Sequence, residues 1–323
     1  MQVLLNIRDS AASWRIALFL LFIVLGTTSC TKEGSGDEGE NPSGGVSPYI
    51  TRVFEYRPAP GQFINELPKY ATGDTPETMA KKAEAAIAGN KGGLISLGGF
   101  GGYVVVGFDH TIKNVEGKTD FTVLGNAYAG NSEPGIVMVS VDNNKNGIPD
   151  DTWLELAGNE YNNSETLHDY EITYYPPDEN KTPVPHETLP YVTDKTYIRW
   201  TTNGHGDGYL YKTNFHAQSY WPRWVNENEL QFSGSRLPEN QTIESGIYTL
   251  YPYDWGYADN MPNNHAAAQF DIDWAVDENG KKVPLPGIDF IKIYTAVHQF
   301  NGSIGESSTE VSGIIDLNVA HEQ

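Results

Sequence analysis

Between Asp142 and Asp151 the chain reads DNNKNGIPDD, with side-chain oxygens at alternate positions on Asp142, Asn144 and Asn146. Ile148 stands seventh and Asp150 ninth, and Gly147 permits a sharp turn between the two halves. Calcium takes about six to eight hard oxygen ligands, and this spacing wraps a short loop around one ion. At the twelfth position Trp153 stands where an EF-hand loop carries its bidentate Glu, and Glu155 lies two residues too far. Asp151 or a carboxylate from elsewhere must therefore complete a structural Ca2+ site. The same residues also describe an Asn/Gly hairpin loop that needs no ion.

Aromatic clusters are the second group with chemistry. Trp221-Pro222-Arg223-Trp224 and Tyr248–Tyr257 crowd rings into turn-rich sequence. Rings with polar edges stack on sugars or on a flat macrocycle, while neighbouring polar groups fix orientation. On that reading Trp221, Trp224, Tyr253, Trp255 and Tyr257 contact a ligand, and Asp259 and Asn260 orient it. The competing reading places the rings in the core and at loop bases. His205, His216 and His265 lack the H-x-x-x-H or HExxH spacing of a metal site and read as solvated or hydrogen-bonded.

Catalytic signatures are sparse. There is no G-x-S-x-G elbow, and the glycine run Leu97–Gly102 precedes a strand rather than a helix. Glu133, in Ser132-Glu133-Pro134-Gly135, is a candidate acid, and a tight turn accounts for it equally well. No catalytic residue is assigned, and a binding role is expected over an enzymatic one.

Cys30, the only cysteine, places this chemistry. Arg8 and Arg15, the apolar run Ile16–Leu25 and the small residues Gly26–Ser29 precede it, in the order of an export signal. The junction resembles a lipobox, with Thr27 where Leu is usual, so residues 1–29 are expected to be removed and Cys30 lipidated. Residues 30–48 are almost free of apolar side chains and read as an acidic flexible tether. A lipid-anchored protein on the outer membrane, exposed at the cell surface, is the expectation. The formal charge of −21 disfavours nucleic acid as a partner.

These residues must be held by a fold without disulfides. Thr75 or Asp74 can cap a helix, Pro76 suits its first turn, and Glu77–Ala88 are good helix formers before Gly89. Strands are expected at Tyr103–Phe108, Phe121–Leu124, Ile136–Val141, Ile172–Tyr175, Phe290–Val297 and Ile314–Val319. Long loops are expected between Pro176 and Tyr197 and between Thr213 and Ile247. One helix among many strands, without repeats, implies an all-β fold: a single jelly-roll-type β-sandwich domain over residues 49–323.

Several stretches occur in an order that carries a resemblance. They are PAPGQFINELP (58–68), SLGGFGGYVVVGFD (96–109), GNAYAGNSEPGIVMVSVDNNKNGIPDDTWLELAG (125–158), WGYADN (255–260), FDIDWAVDENGKKVPL (270–285), IDFIKIYTA (288–296) and IGESSTEV (304–311). Together, over residues 53–317, they resemble a family of bacterial cell-surface lipoproteins and surface-layer-associated proteins. The loop at Asp142 is itself similar to the calcium loops of thrombospondin type 3 repeats. The family resemblance implies a jelly-roll module with a surface binding role, in a family some of whose members accompany corrinoid or glycan capture systems. The expected work is capture of a glycan or a corrinoid for outer-membrane importer components. A polysaccharide hydrolase or lyase and a structural or adhesive surface protein are the alternatives.

Overall fold

The computed structural model describes residues 45–320, and its strands follow directly from apolar runs that alternate between two faces. In chain order they are β1 (Arg52–Arg57), β2 (Ile95–Ser96), β3 (Tyr103–Lys113), β4 (Phe121–Leu124), β5 (Gly135–Ser140) and β6 (Leu154–Leu156). Next come β7 (Leu167–Tyr174), β8 (Val192–Thr202), β9 (Asp207–Thr213), β10 (Leu230–Arg236), β11 (Gln241–Glu244) and β12 (Ile247–Leu250). The last are β13 (Gln269–Phe270), β14 (Ala275–Val276), β15 (Gly287–Thr295), β16 (Glu310–Val311) and β17 (Gly313–Asp316). Helices are α1 (Pro76–Ile87) and the single turn α2 (Leu317–Ala320).

All strand pairs are antiparallel, and the fold is all-β and sandwich-like. A six-stranded sheet has the order β1-β3-β15-β5-β6-β14, so a strand from near the end of the chain lies between two early ones. Such long-range insertion is characteristic of Greek-key connectivity. A four-stranded sheet runs β10-β7-β8-β9, and the pair β11-β12 is a separate hairpin.

Period-two alternation assigns each face of the large sheet to its own core. Val104, Val106, Val137, Val139, Ile291 and Ile293 point to one side, into a core they share with Met79, Ala83 and Ile87 of α1, which packs mainly on β1. Ile136 and Tyr294 point to the other and meet Tyr170, Ile172, Tyr174 and Phe232 of the four-stranded sheet. The helix is locally specified. Thr75 Oγ1 accepts from the Thr78 N–H at 3.3 Å, Thr78 Oγ1 accepts from the Thr75 N–H at 2.7 Å, and Pro76 opens the first turn. Thr75→Ala is expected to cost about 1 kcal/mol in urea unfolding, with no change in m-value.

Three expectations about elements need correction. The stretch from Thr213 to Ile247 is not one long loop, because β10 and β11 lie within it. The loop before Tyr197 is shorter than expected, since β8 begins at Val192. Both strands mix polar and apolar residues: β10, LQFSGSR, buries Leu230, Phe232 and Ser235 and leaves its other face outward. At the far end β17 stops at Asp316, and Leu317–Ala320 turn helical instead of continuing the strand to Val319.

The described part belongs to one compact unit, Gly45–Gln323. Cys30, the export signal and all but the last residues of the expected tether lie outside the described residues. Among the described residues no helix is long and apolar enough to cross a membrane.

Candidate functional site: an aromatic cavity and a buried carboxylate cluster

A cavity of about 460 Å3 opens where β7, β8 and β9 meet the segments that follow β10 and β15. Its size suits a small ligand. Trp200, Tyr209, Tyr211 and Phe300 form its rim walls, and Phe100, Tyr170 and Tyr174 close its base. Tyr209 lines the cavity and remains 42% exposed. Phe300 packs edge-on against Tyr211, with centroids 4.9 Å apart, and against Tyr248 of the β11-β12 hairpin at 6.3 Å.

Besides the tyrosines, five charged or titratable residues line this aromatic frame: His205, Arg236, Glu239, His298 and Glu306. His298 rests edge-on against Trp200 at 4.5 Å, and its Nδ1 lies 2.8 Å from the Tyr170 hydroxyl. Burial, reinforced by the Arg236 charge, pushes the imidazole pKa down to about 3, so the ring is neutral at pH 7. The Arg236 guanidinium sits 5.7 Å from the Tyr170 ring centroid and only 4.0 Å from Glu239, and its buried Nε has no hydrogen-bond partner. Glu306 accepts from the Gln62 N–H at 2.7 Å through Oε1, while its buried Oε2 has none. Burial raises this carboxyl to about 7.

Behind the cavity, motif segments far apart in sequence converge on three further buried carboxyls: Glu133, Asp259 and Glu310. Asp259, at φ 49°, accepts from the Asn126 and Ala127 N–H groups at 2.8 Å through Oδ1 and from the Glu310 N–H at 3.0 Å through Oδ2. Glu133 accepts from the Ser308 N–H at 3.0 Å, and Glu310 from the Ser308 hydroxyl at 2.9 Å. Gly125 is required here, since a Cβ would lie 2.3 Å from Asp259 Oδ1. Burial and the Asp259 charge raise Glu133 to about 8, burial raises Asp259 to about 7, and burial with both neighbours raises Glu310 well above the usual range. Among the described residues no Lys or Arg pairs with any of them. Glu133 is therefore a buried brace between segments rather than an exposed acid in a turn.

The seven residues expected to contact ligand do not form one surface, and none of them lines the cavity. Trp221 and Tyr257 are buried in the core beneath the four-stranded sheet, and Trp224 lies in the other core, stacked on Tyr56 at 5.9 Å. Tyr253 is tied down by its hydroxyl, which donates to the Pro238 carbonyl at 2.5 Å. Asp259 and Asn260 are buried, Asn260 accepting from the Tyr253 N–H and donating to the Tyr253 carbonyl, each at 2.8 Å. Only Trp255 is substantially exposed, resting on Trp274 at 4.6 Å. These rings filled interior volume because their loops fold back over the sheets. Of the histidines, His205 reaches the cavity rim from the β8-β9 turn, His216 packs on Phe63, and His265 caps a short 3-10 turn.

In the loop at Asp142 the oxygens fold inward on its own backbone. Asp142 accepts from the Asn146 and Gly147 N–H groups at 3.0 and 2.9 Å, and Asn146 accepts from the Ile148 N–H at 2.7 Å. Asn144 and Asn146 donate to the two oxygens of Asp150 at 3.1 and 3.0 Å. Asp151 Oδ2 is buried without a hydrogen-bond partner among the described residues, and a hard oxygen of that kind fits a cation ligand. Among the described residues no group of three or more His, Cys, Asp or Glu side chains is placed to hold a metal, so Asn and backbone oxygens would have to contribute.

Compared with protein-family models the chain matches none, and a search of the curated proteins also finds no match.

Proposed function

We propose that this chain is a lipid-anchored binding protein that captures an extracellular ligand, a glycan or a corrinoid, at the cell surface. The observation that carries the reading is the aromatic cavity with spare polar groups between Trp200 and Phe300. Unspent ring faces bind flat or ring-shaped ligands, and hydrogen-bonding groups at the base select among them. Cys30 is the anchor, the outer membrane the location, and importer components the partners that take over the ligand. The resemblance to cell-surface lipoproteins supports that setting.

Thermal unfolding of the purified chain with glycans and cobalamins tests the reading. A ligand that binds only the native state raises the midpoint progressively as its concentration exceeds its Kd. No shift with any member of either class would overturn it.

One Ca2+ in the Asp142–Asp151 loop accompanies this reading, held by Asp142, Asn144, Asn146, Asp150, Asp151 and the Ile148 carbonyl. Prolonged EDTA treatment is expected to lower the unfolding midpoint by several degrees, and Asp142→Ala to abolish the response to added Ca2+. An identical midpoint with and without EDTA would count against the ion.

A second reading is favoured by Glu239 and Glu306 sharing the cavity, one exposed and the other raised to about 7. Two carboxyls in different environments are the equipment of a glycosidase. Release of reducing ends from a polysaccharide, lost in Glu306→Gln, would establish hydrolysis over capture.

A further inference from the structure

We propose that the cavity takes a neutral sugar of one or two units, anchored by a hydrogen bond from His298 Nε2 to a ring or hydroxyl oxygen. The assignment rests on the capture reading and narrows it to one ligand class.

The tautomer follows from hydrogen-bond accounting. Tyr170 keeps its proton at any physiological pH, since burial raises its pKa to about 12. Its hydroxyl has no hydrogen-bond partner among the described residues other than His298 Nδ1, at 2.8 Å. Donation to Nδ1 satisfies that proton, whereas acceptance from it would leave the hydroxyl proton unused. The imidazole proton then resides on Nε2, which makes no hydrogen bond among the described residues on a ring that lines the cavity. A neutral donor is thereby held in place by Tyr170 on one side and by the Trp200 ring on the other.

Charge selects against anions. Among the described residues Arg236 is the one Arg or Lys lining the cavity, and Glu239 at 4.0 Å already faces it. Glu306 adds a second carboxyl, which gains its charge as pH rises through about 7, and the whole chain carries −21. A carboxylated, sulfated or phosphorylated ligand would meet net repulsion, while a neutral hydroxyl-bearing ring would not. The walls suit such a ring: a sugar presents C–H groups to Tyr209 and Tyr211 and hydroxyls to the polar base. The volume of about 460 Å3 is in the range of small-ligand pockets and suits one or two sugar units.

Calorimetric titration of the full chain would use cellobiose, maltose, lactose and mannobiose as neutral probes. Glucuronic acid and glucose 6-phosphate serve as anionic probes, and cyanocobalamin as the corrinoid. At least one neutral disaccharide is expected to bind, at least about tenfold more tightly than either anion. Tyr209→Ala, at an exposed wall, and His298→Phe are each expected to weaken binding about tenfold or more. His298→Gln, whose amide can donate from nearly the same point, should retain most of the affinity, which a merely structural role for the ring would not predict. Equal or tighter binding of an anion, or full affinity in His298→Phe, would overturn the proposal. Binding of cyanocobalamin alone, weakened by Tyr209→Ala, would overturn the sugar assignment and leave capture standing. Binding of no probe would overturn the sugar assignment, and the wider glycan and cobalamin melting series would then decide the capture reading by itself.

Discussion

Urea unfolding at pH 5 and at pH 8 is expected to show a domain that is several kcal/mol less stable at the higher pH. Glu133, Asp259, Glu306 and Glu310 are buried, and no cation pairs with them among the described residues. Glu155 adds a fifth raised carboxyl, at about 7, which accepts from the Ser235 hydroxyl at 2.7 Å. A folded pKa above the unfolded one means that the native chain holds the proton more tightly. Stabilisation is therefore full below the ordinary carboxyl range and is lost as pH climbs through about 7 to 8. Each pH unit between the ordinary carboxyl range and the folded pKa costs up to about 1.4 kcal/mol per carboxyl, and neighbouring members titrate as a set rather than singly.

His298 acts in the opposite sense. It is neutral in the fold at pH 5 but charged in the unfolded chain, so raising the pH to 7 returns about 2 kcal/mol. The carboxyls outweigh it by number and depth. Glu133→Gln keeps an oxygen for the Ser308 N–H and removes one titration, so it should flatten the profile and stabilise the domain at pH 8. Stability that is equal at both pH values, or greater at pH 8, would overturn the expectation.

The second large effect lies at the joint between the sheets. Tyr294, on β15 of the six-stranded sheet, reaches across to β10, where its hydroxyl accepts from the Ser235 N–H at 2.9 Å and donates to the Ser235 carbonyl at 3.2 Å. Its ring is 3% exposed and packs against Phe100. Gly234 is what lets it approach, because a Cβ there would lie 2.8 Å from the hydroxyl. Tyr294→Ala opens a cavity and strands both Ser235 groups, with an expected cost of about 4 kcal/mol. Tyr294→Phe retains the ring and should cost about 1–2 kcal/mol. Equal losses in the two variants would show that the hydroxyl, not the ring, carries the contribution.

The helix and the central strands were legible because their signals are local. Thr75, Pro76 and Gly89 punctuate α1, and the runs in β3, β5 and β15 are apolar enough to announce a sheet buried on both faces. β8 and β10 were obscured by polar residues such as Asp194 and Ser235, which are buried only once other segments pack against them. The cavity was missed for the same reason. Trp200, Tyr209, Arg236, His298 and Glu306 share no motif, and strand pairing alone gathers them. Composition flagged the density of rings around Trp221 and Tyr257 without saying which ones would be consumed as core.

By itself, then, the sequence determined an all-β domain and an acidic chain whose single cysteine follows an export-like leader. It also determined an oxygen-rich loop at Asp142–Asp151, because alternation, capping and loop spacing are encoded within a few residues. Only the tertiary structure decided which aromatic faces stay free, which acids are deprived of water and where a neutral histidine meets an open cavity. Burial and ring exposure are properties of packing between distant segments, and no local pattern carries them.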